Sequence, residues 1–212
     1  MKILMVAAEN DALPGGKVGG IGDVVRDIPA ALAQIDHQVD VVIPGYQAFS
    51  RLPGSRFISS LSVSFGGVQQ TVELYQVPSK TSQTNVTQWV LEHPLFGIGG
   101  PGKIYCDDPS NRPFATDASK FALFSSAVAK AIISGCFGHI DNLHLHDWHT
   151  AMVAVLRAYD PQYQQLKSIH TVYTIHNLAL QGIRPLADDG SSLLSWFPGL
   201  MFDHHALGDR RF

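Results

Sequence analysis

A chain of 212 residues, with 45% apolar and 16% charged side chains, has the make-up of a globular α/β protein, which excludes an extended disordered state. Its formal net charge of -3 gives no electrostatic reason to expect a nucleic acid or an anionic membrane as partner. No apolar run approaches the ~20 residues of a bilayer span, and the two cysteines, Cys106 and Cys136, lie far apart with no metal-ligand spacing, as free thiols of a cytoplasmic protein would.

The first apolar run, residues 3–8, predicts a strand buried on both faces, too short for a secretory leader and followed at once by Glu9-Asn10-Asp11. A Gly- and Pro-rich loop covers 9–21. From Asp23, a candidate cap, Val24, Ile28, Leu32 and Ile35 recur at helical spacing, with Pro29 expected to kink the helix. Residues 39–43 predict a second buried strand, so the first 40 or so residues read as a βαβ unit. Alternation over 57–77 around Gly66-Gly67 predicts a β-hairpin, and 88–91 a short strand. Residues 93–115 form a loop too long to be a plain connector. A strong helix over 117–134 has Phe121, Phe124, Val128 and Ile132 on one face and stops at Gly135. Then follow a short strand at 143–145, a helix at 150–159, a buried strand at 169–175 and a short helix near 191–196. The chain reaches Arg210-Arg211-Phe212 without a clear closing strand and helix. The expected architecture is a three-layer Rossmann-like domain with a mostly parallel sheet and a hairpin insertion.

Three segments carry chemistry. In Lys17-Val18-Gly19-Gly20-Ile21-Gly22-Asp23, glycines between a strand and a helix let a ligand approach the backbone, while the helix start offers free N–H groups and positive potential to an anion. The same glycines would also serve a tight turn packing the helix on the sheet. The order of Lys and Gly matches neither a dinucleotide fingerprint nor a P-loop. In His144-Leu145-His146-Asp147-Trp148-His149 the spacing departs from the zinc-hydrolase pattern, and a sugar site of imidazole, carboxylate and indole is the better reading. His146 is the expected functional member, with His144 and His149 as core histidines. In Tyr173-Thr174-Ile175-His176-Asn177-Leu178-Ala179-Leu180-Gln181-Gly182, the third segment, His176 and Asn177 follow a strand at what should be the same sheet edge. They either contact a ligand or form an Asx turn. Glu9 stands at that edge too. Asp11 and the pair Asp107-Asp108 read as solvated. Asp117 reads as a helix N-terminal charge or a ligand contact.

Together these three segments, in order, resemble bacterial glycogen synthases and plant starch synthases, retaining glucosyltransferases of the GT-B fold. The resemblance covers nearly the whole chain and maps it to the N-terminal, acceptor-side domain. It implies ADP-glucose and an α-1,4-glucan as substrates, with neither metal nor cofactor. It places Lys17, Gly19 and Gly20 at the diphosphate and His146 at the transferred glucose. Glu9, Asp23 and Asn177 would line the donor–acceptor junction. Family members are longer, and their second domain carries most of the nucleotide site, so the chain reads as an incomplete N-terminal domain, inactive alone. A glucan-binding module without catalysis, a zinc hydrolase and a sucrose- or sucrose-phosphate-forming relative are the alternatives.

Overall fold

Each strand takes its place in the sheet from how much of it is apolar. The computed structural model describes residues 1–208; the predicted lack of a closing element at 210–212 lies outside them. β1 (Lys2–Val6) and β2 (Gln38–Pro44) are almost wholly buried. They pair in parallel, Met5 opposite Val41, across the crossover helix α1 (Gly20–Gln34). β5 (Val86–Glu92) lies outside β2, also in parallel. On the other side of β1 come β6 (Asn142–His146) and then β7 (His170–Thr174), both parallel.

The predicted hairpin is β3 (Arg56–Phe65) and β4 (Val68–Val77). Gly66 and Gly67 have φ of 61° and 77°, as a two-residue type I′ turn requires. β4 pairs antiparallel with β5, so the hairpin extends the sheet. The order is β3-β4-β5-β2-β1-β6-β7.

From β1 the chain moves one way to β2, and from β6 the other way to β7. Right-handed crossovers therefore set α1 on one face and α3 (Ala151–Tyr159) on the other. α2 (Ala115–Ile133) packs on α3 and on β3 and β5, and is buried on nearly all sides. Two short helices follow, α4 (Leu193–Trp196) and α5 (His204–Leu207); Ser192 and Ser195 form a capping box on α4. The core joins Leu4, Met5, Val42, Ile43, Leu143 and Leu145 of the sheet to Phe121, Phe124 and Val128 of α2.

Three expectations are corrected. α1 begins at Gly20, with Gly19 as its cap residue, so Asp23 sits in the first turn and caps nothing. β7 is the exposed edge strand, with Val172 and Tyr173 open to solvent, where the apolar run 169–175 suggested burial on both faces. Asp108 is bound: its carboxylate accepts from the N–H and hydroxyl of Thr116, at 2.9 and 2.6 Å, and so holds the head of α2. α1 runs through Pro29 as one helix. Cys106 and Cys136 are both free.

Candidate functional site

β1 is the point where the strand order reverses, and in an open α/β sheet ligands bind beyond the carboxyl ends of the strands at such a point. A cavity of about 660 Å³ opens there. Its walls come from the turn after β1 (Glu9), the head of α1 (Gly19, Gly20), the long loop before α2 (Tyr105), the turn after β6 (Trp148, His149) and the segment after β7 (His176, Asn177).

The Gly-rich turn is held from below. The Oε2 of Glu9 accepts the N–H groups of Val18 and Gly19 at 2.7 and 2.6 Å, and its Oε1 accepts the Tyr105 hydroxyl at 2.6 Å. Glu9 is 2% exposed, so three donors compensate its desolvation. Burial and the adjacent Glu9 charge push the Tyr105 phenol far above its usual range, so it stays a donor. Gly20 then starts α1, whose first N–H groups lack intrahelical partners.

A Cβ on Gly20 would touch nothing within 4 Å, and one on Gly19 would make only ordinary contact with Glu9, at 3.5 Å. Neither position has a positive φ. Chain packing therefore does not demand these two glycines, which weakens the tight-turn reading. Gly22 is different: a Cβ there would press on Lys17 at 3.0 Å, so it serves the packing of the turn.

The opposite wall hangs on Asp147. It has φ 56° and ψ -178°, a conformation suited to glycine that costs a side-chain-bearing residue about 1–3 kcal/mol. Its Oδ1 accepts the N–H groups of His176 and Asn177 at 2.7 and 3.4 Å, and its own N–H donates to the Thr174 carbonyl at 2.9 Å. The strained turn after β6 thus sets where the segment after β7 enters the cavity. Asn177 forms the expected Asx turn, accepting from the N–H groups of Ala179 and Leu180 at 2.8 and 3.1 Å, and lines the cavity as well. Further along, Gly182 (φ 59°) lies against the Trp148 ring, and a Cβ there would come within 2.1 Å of it. Gly182→Ala is expected to lower stability by about 2–4 kcal/mol through left-handed strain and overpacking, with a shift in tryptophan emission as Trp148 moves. Urea unfolding followed by fluorescence checks both; a loss under 0.5 kcal/mol (~0.5) would contradict the packing described.

The structure gathers Glu9, Gly19, Gly20 and Asn177 around one cavity. Lys17 and Asp23 are not among its lining residues; they pair with each other at 2.5 Å, both partly exposed, and Arg26 joins Asp23 to Asp11. His146 is fully enclosed behind the wall. Its Nδ1 lies 2.9 Å from Nε2 of His176, and His176 is the imidazole that faces the cavity from that pair. His144 is a satisfied histidine, 2.8 Å from the Thr174 hydroxyl. His149 is buried, yet its ring forms part of the wall, packed on Tyr105 and Phe121, and its Nδ1 has no partner. Burial holds His146 and His149 down to about 3, with smaller contributions from His144 and His176 on the first and Lys120 and His176 on the second.

Residue-level reading from sequence missed Tyr105, and it gave the Asp147 carboxylate to a sugar hydroxyl where the structure gives it to the backbone N–H groups of His176 and Asn177. The excess length of the 93–115 loop was the available signal for Tyr105; nothing local marked the backbone of Asp147. Asp117 is a charge at the N-terminal end of a helix, the first of its two readings. It stands in the first turn of α2, lines the cavity, accepts the Cys106 N–H and pairs with the buried Lys120 at 2.6 Å.

The family described as the starch synthase catalytic domain matches residues 2–210. The chain belongs to that family. It is 36% identical to a glycogen synthase of Hydrogenobaculum sp. over 86% of this chain and 35% of the relative. With a glycogen synthase of Streptococcus pneumoniae it shares 32% identity, over 100% of this chain and 40% of the relative. Among solved structures, the catalytic domain of starch synthase IV from Arabidopsis thaliana, bound to ADP and acarbose, aligns with a TM-score of 0.68 and 27% identity, over 85% of this chain and 34% of that one. The chain thus spans about 35–40% of the length of these glycogen synthases. Among the described residues no helix is long and apolar enough to cross a membrane.

Proposed function

We propose that the chain forms the acceptor-side wall of a cytoplasmic enzyme that transfers glucose from ADP-glucose to the non-reducing end of an α-1,4-glucan, with retention of configuration. The observation that carries the reading is the space beside Gly20 at the head of α1, which the fold leaves open inside a cavity lined also by Gly19 and by imidazole, amide and indole groups. Helix-start N–H groups suit a diphosphate; His176, Asn177 and Trp148 suit a hexose, with hydrogen bonds to its hydroxyls and an apolar face against its ring.

In this reading Gly19 and Gly20 border the diphosphate, and Lys17 exchanges the Asp23 carboxylate for phosphate oxygens, leaving Asp23 to Arg26. Glu9 shapes the turn through its three donors. Asn177 meets the donor–acceptor junction. His176 contacts the transferred glucose and His146 stands behind it. The anomeric carbon–phosphate oxygen bond breaks and a bond to a glucan hydroxyl forms, and stabilising the departing diphosphate is the main electrostatic task. ADP-glucose is a substrate; the chemistry asks for no metal or cofactor. The remaining nucleotide contacts belong to the part of the relatives that this chain does not span.

The isolated 212-residue protein is expected to bind maltooligosaccharides weakly and to elongate none when ADP-glucose is added. Radiolabelled glucose incorporation and calorimetry check this. Robust elongation would overturn the inactivity. Oligosaccharide binding with no response to ADP-glucose would favour a glucan-binding module.

A further inference from the structure

The two imidazoles at the cavity wall are not equivalent, and their pairing has a chemical consequence that builds on the reading of His176 as the cavity-facing member. His146 has none of its surface open to solvent. Its ring lies nearly parallel to that of His176, with an interplanar angle of 10° and centroids 5.2 Å apart, and the His144 ring packs against it, tilted by 32°, at 4.1 Å. The Nδ1 of His146 and Nε2 of His176 are 2.9 Å apart, so one proton lies between them. The other nitrogen of His146, Nε2, is buried with no hydrogen-bond partner. Burial, with the neighbouring imidazoles, keeps His146 neutral at any pH near 7.

A neutral imidazole carries one N–H. With that hydrogen on Nε2, His146 would bury a donor facing no acceptor, the less tolerated kind of orphan. With it on Nδ1, the N–H is satisfied by His176 and only a lone pair is left enclosed. The second arrangement is favoured, and it fixes its neighbour. Since Nε2 of His176 then accepts, the hydrogen of a neutral His176 must sit on Nδ1. Among the described residues Nδ1 of His176 has no hydrogen bond, and the residue is exposed at the cavity. Its backbone is already held, N–H to Asp147 Oδ1 at 2.7 Å.

We infer that His146 is a positioning residue that sets the tautomer and ring orientation of His176, so that His176 offers the cavity an Nδ1–H donor matched to an oxygen acceptor such as a sugar hydroxyl.

Long-range proton–nitrogen NMR of the 15N-labelled 212-residue protein at pH 7.5 tests this without any substrate; His146→Leu, His146→Asn and His176→Gln assign the signals. In the parent, Nδ1 of both His146 and His176 should appear as pyrrole-type nitrogens and both Nε2 as pyridine-type. In His146→Leu, His176 should lose its fixed Nδ1–H form and move towards the Nε2–H form that free imidazoles prefer. His146→Asn, which can keep a side-chain N–H near the position of Nδ1, should restore it. An Nε2–H tautomer of His146 in the parent would overturn the inference even if a variant failed to fold. So would an unchanged His176 pattern in folded His146→Leu. Failure of ADP-glucose to bind would count against the proposed function while leaving these tautomers as observed.

Discussion

Lys120→Met is expected to lower the unfolding free energy by about 3–5 kcal/mol, the usual cost of removing one partner of a buried ion pair. Lys120 is wholly enclosed in α2. Its ammonium pairs with Asp117 at 2.6 Å, donates to the Ile104 carbonyl and lies 5.5 and 5.1 Å from the rings of Tyr46 and Phe121. Without it, Asp117 still accepts the Cys106 N–H, at 3.1 and 3.2 Å to its two oxygens, but loses its paired cation. The cost should extend to the cavity, because Ile104 and Cys106 flank the Tyr105 that donates to Glu9. Urea unfolding checks the stability. A second substitution, Asp117→Asn, should recover part of the loss in Lys120→Met by removing the stranded charge. A loss below 1 kcal/mol (~1), or no recovery in the double variant, would show that the pair does not brace the loop.

Acid should destabilise the protein well above the carboxylate range. His146 and His149 are held down to about 3 in the folded chain, chiefly by burial, and regain ordinary values when unfolded. Between those values the unfolded state binds more protons, so stability is complete above about pH 6.5 and is lost as pH falls towards 3. Two such groups give a slope approaching ~2.7 kcal/mol per pH unit once the unfolded histidines are fully charged. Burial lowers His144 and His93 in the same direction. Unfolding free energies measured in steps from pH 7.5 to 4.5 should show this steepening. In His149→Gln the slope should fall by ~1.4 kcal/mol per pH unit. A flat profile down to pH 5 would mean that these rings are hydrated or paired in solution.

The parts of the fold set by local pattern were legible in the sequence. Continuous apolar runs at β1 and β2 mark strands covered on both faces, and Gly66-Gly67 marks a turn that only positive φ can close. What depended on distant partners was not. The run at 169–175 looks buried, but burial of β7 depends on what lies beyond it, and it is the edge strand. The start of α1 is fixed by Glu9, which captures the N–H groups of Val18 and Gly19 from nine and ten residues away, so the helix begins before Asp23. Asp108 looks solvated until Thr116 folds back on it.

The site was legible as a neighbourhood rather than atom by atom. Glu9, the glycines and Asn177 were placed at one sheet edge by strand polarity alone, and they meet there. Orientation was beyond a linear reading. Lys17 has a long side chain, and it pairs with Asp23. His146 ends β6 and His149 follows three residues later, yet the irregular backbone at Asp147 sends His149 into the cavity wall and leaves His146 behind His176.

The claim on which the functional reading depends is that the head of α1 and the segment after β7 face one ligand. Amide NMR of the 15N-labelled chain titrated with ADP-glucose tests this most directly. The shifts should concentrate at Gly19, Gly20 and Ile21 on one wall and at Tyr105, His176 and Asn177 on the other, and should saturate together. Shifts confined to the β3–β4 hairpin or scattered over the surface, with the glycine amides unmoved at saturating ligand, would contradict it.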